Sequence, residues 1–259
     1  MLLARACRRV GYDQPPRMPA LAITGRHARA RNVRAAIKRL VPSNVLDQAL
    51  LAAPWLYRTR LVNYETNLDQ SRVNVLLNHL KEASAVDGDV IECGTSRGGS
   101  AVIMARALRQ AGRRKTVFAC DSFAGFDRSE LAAERDAGLT EVADDAFTST
   151  SLLYVQRKLA VLGLTDVVKP VAGYFQDTLP QIEGRFCLAF IDCDLRDSVV
   201  YCARQLWPRL APGGQMLFDD YDAAGWQGAA RGIHEFIDEQ GEAIAAQGRQ
   251  SGMYWVVKP

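Results

Sequence analysis

Histidine is scarce in this 259-residue chain: there are three, and none has a metal-ligand partner four residues on. His27 lies in a basic head, His79 in an early helical stretch and His234 on a late one, so each reads as structural or surface, with His234 the one placed to approach a crevice. The six cysteines, Cys7, Cys93, Cys120, Cys187, Cys193 and Cys202, include no CxxC pair, which argues against zinc. Cys93, Cys120 and Cys187 fall in apolar strand segments, where cysteine acts as a small hydrophobe. The pattern fits a reducing, cytoplasmic compartment. No apolar run reaches the roughly 18 residues of a membrane span, and there is no internal repeat or low-complexity segment. The phosphate-binding glycine patterns are missing too: there is no GxGxxG, and no glycine loop is followed by Lys-Ser or Lys-Thr.

Acids are nearly absent from the first 42 residues, which carry ten Lys or Arg against Asp13 alone. The net charge of +3 therefore hides a mildly acidic main body, which offers no nucleic-acid footprint. An organelle-targeting peptide is one reading of the basic head. The lack of serine enrichment and the prolines at 15, 16 and 19 favour a flexible arm followed by a helix from about Asn32. With 48% apolar and 24% charged residues, the rest reads as globular.

One or two short helices are expected over 32–53, broken near Pro42, and another over 71–85 with Val73, Leu76, Leu77 and Leu80 on one stripe. From residue 89 strands and helices alternate. Strands are predicted at 89–92, 116–120, 167–171, 187–191 and 215–218, and helices at 100–111, 149–162, 198–210 and 228–240. That order implies an α/β, Rossmann-like parallel sheet covered on both faces. Two last strands, near 243–246 and 253–258, should form an antiparallel pair at one edge. The chain thus divides into a basic arm with N-terminal helices, 1–86, and a sheet domain, 87–259. The 122–148 connection is too long for a simple link, and it reads either as a lid over a site or as a solvated insertion.

The stretch VIECGTSRGGSA, 90–101, carries the first chemical signal. An apolar strand ends in Glu92, and glycines at 94, 98 and 99 let a ligand approach the backbone before a helix begins. Amides at that helix start favour a carboxylate, and Glu92 can pair with an ammonium. Both charges occur on the amino-acid end of S-adenosylmethionine (SAM). The bland alternative is a tight strand-to-helix turn. Asp121, after the next strand, is placed to accept ribose hydroxyls, as in any adenosyl site, or to cap a turn. The second signal is the pair FIDCD and FDDYD. Asp192, Asp194, Asp219 and Asp220 end two strands, and if these are neighbours, four carboxylates meet at one sheet edge. Such a group repels itself unless a cation is present, and all-oxygen ligands favour Mg, Mn or Ca.

ECGTSRGGSA resembles the ExGxxxGxSA motif of metal-dependent O-methyltransferases. With CDSFAGF, YFQDTLP, FIDCDLRDS, LAPGGQMLFDDYD and YWVVKP it resembles the macrocin O-methyltransferase family, over about 87–258. The resemblance implies a class I methyltransferase fold, with a seven-stranded, mostly parallel sheet and an antiparallel C-terminal strand. It also implies Mg2+-dependent (or Mn2+-dependent) transfer from SAM to a hydroxyl of a small, glycosylated acceptor. By the same resemblance Glu92, Cys93, Gly94, Thr95, Gly98 and Ser100, then Asp121, Ser122 and Phe123, contact SAM. Asp192, Asp219 and Asp220 hold the metal, and Asp194 or Asp192 is the base. The family's DLYxST stretch departs here to Arg196 and Ser198-Val199, which bears on acceptor choice. Homo-oligomerisation through the helices at 32–86 is expected, with neither nucleic acid nor membrane as partner. The competing readings are an NAD-dependent oxidoreductase, a cephalosporin-hydroxylase-like protein and a non-catalytic SAM-binding subunit.

Overall fold

The computed structural model describes residues 65–259. The basic arm, the helices expected at 32–53, His27 and Cys7 lie outside the described residues. The chain enters through α1, Gln70–Ala83, which Asp69 caps by accepting from the Arg72 amide at 3.0 Å. There follow β1 (Asp89–Cys93), α2 (Gly99–Gln110), β2 (Val117–Asp121), α3 (Arg128–Asp136), α4 (Leu152–Leu162) and β3 (Val168–Ala172). A single turn, α5 (Phe175–Thr178), then leads to β4 (Phe186–Ile191), α6 (Arg196–Leu206), β5 (Leu210–Phe218), α7 (Gln227–Gln240), β6 (Ala246–Gln250) and β7 (Met253–Val257).

The seven strands form one sheet in the order β3-β2-β1-β4-β5-β7-β6, parallel through β5 and antiparallel at β7 and β6. Side chains alternate across it with period two. Val90, Leu188, Phe190 and Leu217 face a core shared with α1, α2 and α4. Ile91, Ala189, Ile191, Met216 and Phe218 face a second core with α6 and α7. The apolar stripe of α1, with Val73, Leu76 and Leu80, is buried in the first of these cores. That helix, expected as an extension beside a complete sheet, is packed on the sheet, so its stripe is not open to a second copy.

Register sets the level of the functional edge. Cys120 pairs with Cys93, Cys93 with Ile191 and Ile191 with Phe218. The residues that follow, Asp121, Gly94, Asp192 and Asp219, therefore stand side by side at the edge of the sheet.

Three elements differ from the sequence expectation. The helix expected at 198–210 ends at Leu206, because Pro208 stops it. β5 begins at Leu210, five residues early, since the turn-like Pro212-Gly213-Gly214 is absorbed into an irregular pairing with β4. The last hairpin turns on Ser251-Gly252 alone, with φ of 55° and 80°, the left-handed pair that a two-residue turn requires. Gly248, Arg249 and Gln250 consequently join β6 instead of the loop.

The 122–148 insertion contains α3, which the sequence reading missed. Asp127 caps it, accepting from the Ser129 and Glu130 amides. The helix reaches across to the start of α6. Glu130 accepts from the Ser198 amide (2.6 Å) and hydroxyl (2.7 Å), and Glu134 accepts from the Arg196 amide (2.8 Å). Open amides at a helix start need such acceptors. Arg196, where the chain departs from the family motif, is thus tied to the insertion through its backbone amide, and the second tie is at Ser198, where the motif's Ser is kept. Replacing Glu130 with Ala is expected to cost about 1–2 kcal/mol of stability through the lost cap. It should also raise the acceptor KM while leaving SAM affinity unchanged, which denaturation and steady-state kinetics would show. An unchanged KM would mean that the insertion does not wall the acceptor site.

Candidate active site

A cavity of about 520 Å³ opens at the carboxyl edge of β1–β5. Gly94, Thr95, Ser100, Asp121 and Ser122 line it, as do Asp192, Asp194, Asp219 and Asp220. Glu92, Cys93, Gly98 and Phe123, also predicted to contact the cofactor, stand outside the lining. Four of the six non-glycine residues with left-handed backbone among the described residues line this cavity: Ser96, Phe147, Asp194 and Asp220. Strain of this kind collects at functional sites.

The cofactor loop is built on close approach. The Gly94 and Thr95 amides both donate to the Cys120 carbonyl, at 2.9 and 3.2 Å, which draws β1's end onto β2. A Cβ on Gly94 would lie 1.7 Å from the Asp192 carbonyl oxygen. Gly99 is equally constrained, since a Cβ there would lie 2.4 Å from the Glu65 carbonyl. Asp121 bridges the loop, accepting from the Ser96 amide at 2.8 Å and the Phe123 amide at 2.7 Å. Each carboxylate oxygen keeps a lone pair for a ligand hydroxyl. Burial pushes its pKa up and the two amides pull it down.

Glu92 sits one layer beneath the cavity, fully buried. Thr95 donates to its Oε2 at 2.6 Å, while Oε1 has no hydrogen-bond partner among the described residues. Burial raises its pKa to about 7, against the opposing hydrogen bonds from Ser100 and Thr95. The folded state therefore holds an extra proton between the ordinary carboxyl range and about pH 7, and stability falls as pH rises through that window. Glu92→Gln in cofactor-free protein should flatten this dependence, and the variant should gain on wild type between pH 5 and pH 8, by up to about 3 kcal/mol. Parallel denaturation curves for the two proteins at both pH values would contradict this.

The acids gather as β4 and β5 dictate. Asp192, Asp194 and Asp220 each bring an oxygen within 4.8 Å of the others. Burial, then the neighbouring carboxylates, push Asp192 and Asp194 well above the usual range. Asp219 lies beside them. Its Oδ2 accepts from Arg72 of α1 at 2.9 Å, and Arg72 also reaches Asp220 at 3.1 Å. The Oδ1 of Asp219 is buried without a partner among the described residues, and burial raises the Asp219 pKa to about 7, with Asp220 adding to the rise and Arg72 opposing it. A self-repelling oxygen cluster with an orphaned oxygen fits a divalent cation. In the same way, the glycine cradle and the bridged Asp121 fit SAM.

Sequence reasoning missed Arg72, whose partners lie 147 and 148 residues away and leave no local trace. It also missed Lys158, fully buried on α4, which pairs with Glu65 at 3.2 Å and donates to the Arg97 carbonyl at 2.8 Å. Arg97 donates to the Ser149 carbonyl at 2.8 Å, pairs with Glu65 at 3.6 Å and stacks on Tyr154. The loop arginine thus helps strap residues 65–67 over α2. Of the histidines, His79 meets Gln215 at 2.6 Å and His234 meets the Tyr221 hydroxyl at 3.0 Å. Neither lines the cavity.

The strand order, the antiparallel β7 and a ligand edge beginning at β1 define a class I methyltransferase. The O-methyltransferase NovP shares this fold, with a TM-score of 0.66 and 24% identity over 76% of this chain and 83% of NovP. CalS11, a calicheamicin methyltransferase, shares it with a TM-score of 0.56 and 19% identity, over 83% of this chain and 91% of CalS11. The profile of the Macrocin-O-methyltransferase (TylF) family matches residues 64–255, and the chain belongs to that family. It is 33% identical to the mycinamicin III 3''-O-methyltransferase of Micromonospora griseorubida, over 73% of this chain and 77% of that protein. It is 35% identical to the 8-demethyl-8-(2,3-dimethoxy-alpha-L-rhamnosyl)-tetracenomycin-C 4'-O-methyltransferase of Streptomyces olivaceus, over 54% of this chain and 55% of that protein. The chain is accordingly an O-methyltransferase that uses SAM, which decides against an NAD-dependent oxidoreductase. Among the described residues no helix is long and apolar enough to cross a membrane.

Proposed function

We propose that this enzyme methylates a sugar hydroxyl of a glycosylated small molecule, with Mg2+ (or Mn2+) held by Asp192, Asp219 and Asp220. The observation that carries the reading is the shared level of the β1, β2, β4 and β5 ends, which sets the SAM loop and four carboxylates on one cavity. The tetracenomycin relative supports the acceptor class, since its name specifies a rhamnosyl group.

An alcohol is a weak nucleophile at neutral pH, and a divalent ion bound at these carboxylates supplies acidification and orientation of its oxygen. The rest falls to the chain. Arg72 fixes the Oδ2 of Asp219 and leaves Oδ1 for the ion. Asp194, held in left-handed backbone at φ 65° beside Asp192 and Asp220, takes the hydroxyl proton as the oxygen attacks. Asp121 and the Gly94 loop hold the adenosyl and amino-acid ends, so that the methyl faces the acids. The insertion limits water at the site.

A screen of simple glycosides with SAM and Mg2+, scored by S-adenosylhomocysteine and by NMR location of the new methyl on a sugar oxygen, tests this. SAM binding with no product from any glycoside would remove the sugar reading.

A further inference from the structure

One wall of the cavity is not used by the chemistry above. Phe126, Phe147 and Trp226 line it, and their rings pack on one another. Centroids are 5.4 Å apart for Phe126–Phe147, near perpendicular at 81°, then 5.5 Å for Phe126–Trp226 and 6.2 Å for Phe147–Trp226. None of the three belongs to either apolar core. All are half-buried, so the cluster keeps aromatic surface toward the cavity.

The cluster is assembled from distant positions and held firmly. Phe126 and Phe147 stand at opposite ends of the insertion. Those ends meet because Gly125 lies where a Cβ would be 2.9 Å from both the Ala146 carbonyl and the Thr148 methyl. Phe147 is left-handed at φ 58°, a conformation a bulky residue keeps only where its surroundings impose it. Trp226 arrives from the loop after β5. The Thr140 hydroxyl donates to the Gly225 carbonyl at 3.0 Å, and the Gln227 amide donates to the Leu139 carbonyl at 3.2 Å, tying that loop to the insertion.

We propose that these three rings form the acceptor platform, taking the C–H face of the sugar that carries the reacting hydroxyl. The inference rests on the glycoside reading above. A pyranose ring has apolar C–H faces and a hydroxyl edge, and the cavity has the matching division: an aromatic wall and an acidic wall. Electron-rich ring faces attract the slightly positive C–H groups of a sugar. The Trp226 end of this wall stands away from the cofactor loop. Asp121 ends β2 and Gly94 follows β1, with Tyr174 and Phe175 beyond them after β3, whereas Trp226 follows β5 on the far side of the acids.

The test uses methyl α-L-rhamnopyranoside and the glycosides that the screen turns over. In saturation-transfer NMR on protein loaded with S-adenosylhomocysteine, the sugar C–H protons should receive saturation in wild type and in Trp226→Phe, and lose it in Trp226→Ala. In kinetics, Trp226→Ala and Phe147→Ala should raise the acceptor KM about tenfold, the scale of one lost ring contact, with SAM affinity within twofold of wild type. Normal turnover by wild type with KM unchanged in both alanine variants would overturn the platform and leave the glycoside reading standing. Saturation confined to aglycone protons would overturn it too. Wild-type protein that neither binds nor methylates any glycoside would remove both.

Discussion

Asp192→Asn is expected to lower kcat/KM by on the order of 10²–10³-fold while raising the melting temperature of the cation-free protein. The two effects have one cause. Asp192 sits among Asp219, Asp194, Asp220 and Glu92, and its charged form is disfavoured first by burial and then by these neighbours. With chelator present, removing one carboxylate relieves repulsion, by about 1 kcal/mol or roughly 2–4 °C. With Mg2+ present, the variant lacks a ligand, and calorimetry should show cation binding weakened at least about tenfold. Asp219→Asn should weaken the cation likewise but without the gain in melting temperature, because it also removes the partner that Arg72 holds at 2.9 Å. Asp194→Asn should differ, keeping cation affinity and losing kcat, because its role is the proton. If Asp194→Asn loses the cation and Asp219→Asn keeps it, those two residues exchange roles. Normal turnover by Asp192→Asn would remove the metal from the reaction.

The second large effect is expected from Gly94→Ala, which should lower stability by about 3–5 kcal/mol and abolish SAM binding in the protein that remains folded. Gly94 has φ 95°, and an added Cβ would lie 1.7 Å from the Asp192 carbonyl oxygen and 2.6 Å from its carbon. Neither strand can yield, because the Asp192 amide donates to the Cys93 carbonyl at 2.8 Å and the Asp219 amide donates to the Ile191 carbonyl at 2.9 Å. Gly112 is the control. Its φ is 66°, but a Cβ there meets nothing within 4 Å. Gly112→Ala should therefore cost only about 1 kcal/mol, the price of a left-handed alanine, and leave SAM affinity intact. Denaturant titration with isothermal SAM titration checks both. Equal effects of the two substitutions would show that conformation, and not the approach of β4, makes Gly94 necessary.

What could be read from the chain and what could not divide along a physical line. Strands β1 and β4 were legible because burial on both faces leaves an unbroken apolar run, and the acids that end them follow at fixed spacing. The start of β5 was hidden because Pro212-Gly213-Gly214 has turn chemistry, and only pairing with β4 makes it a strand. Helix α3 was hidden because its buried face is small. Only Leu131 and Glu134 are buried, and an acid facing inward reads as solvated until its acceptor role at α6 is seen. The glycine loop was legible as a cofactor turn, yet the residues that hold it, Glu65, Arg97 and Lys158, pair across the fold. Arg72 is the same case at the acid cluster. Phe126, Phe147 and Trp226 were visible as aromatics in or near a long loop, but no spacing rule joins positions 126, 147 and 226.

The central claim is methyl transfer from SAM to a sugar oxygen at a carboxylate-held cation. The most direct measurement follows wild-type enzyme, a turned-over glycoside and methyl-labelled SAM in EDTA and then after Mg2+ is restored. The expected result is one label on a sugar oxygen for each S-adenosylhomocysteine formed, no turnover in EDTA, and recovery with Mg2+. Equal turnover in EDTA, or label on any atom other than a sugar oxygen, would contradict it.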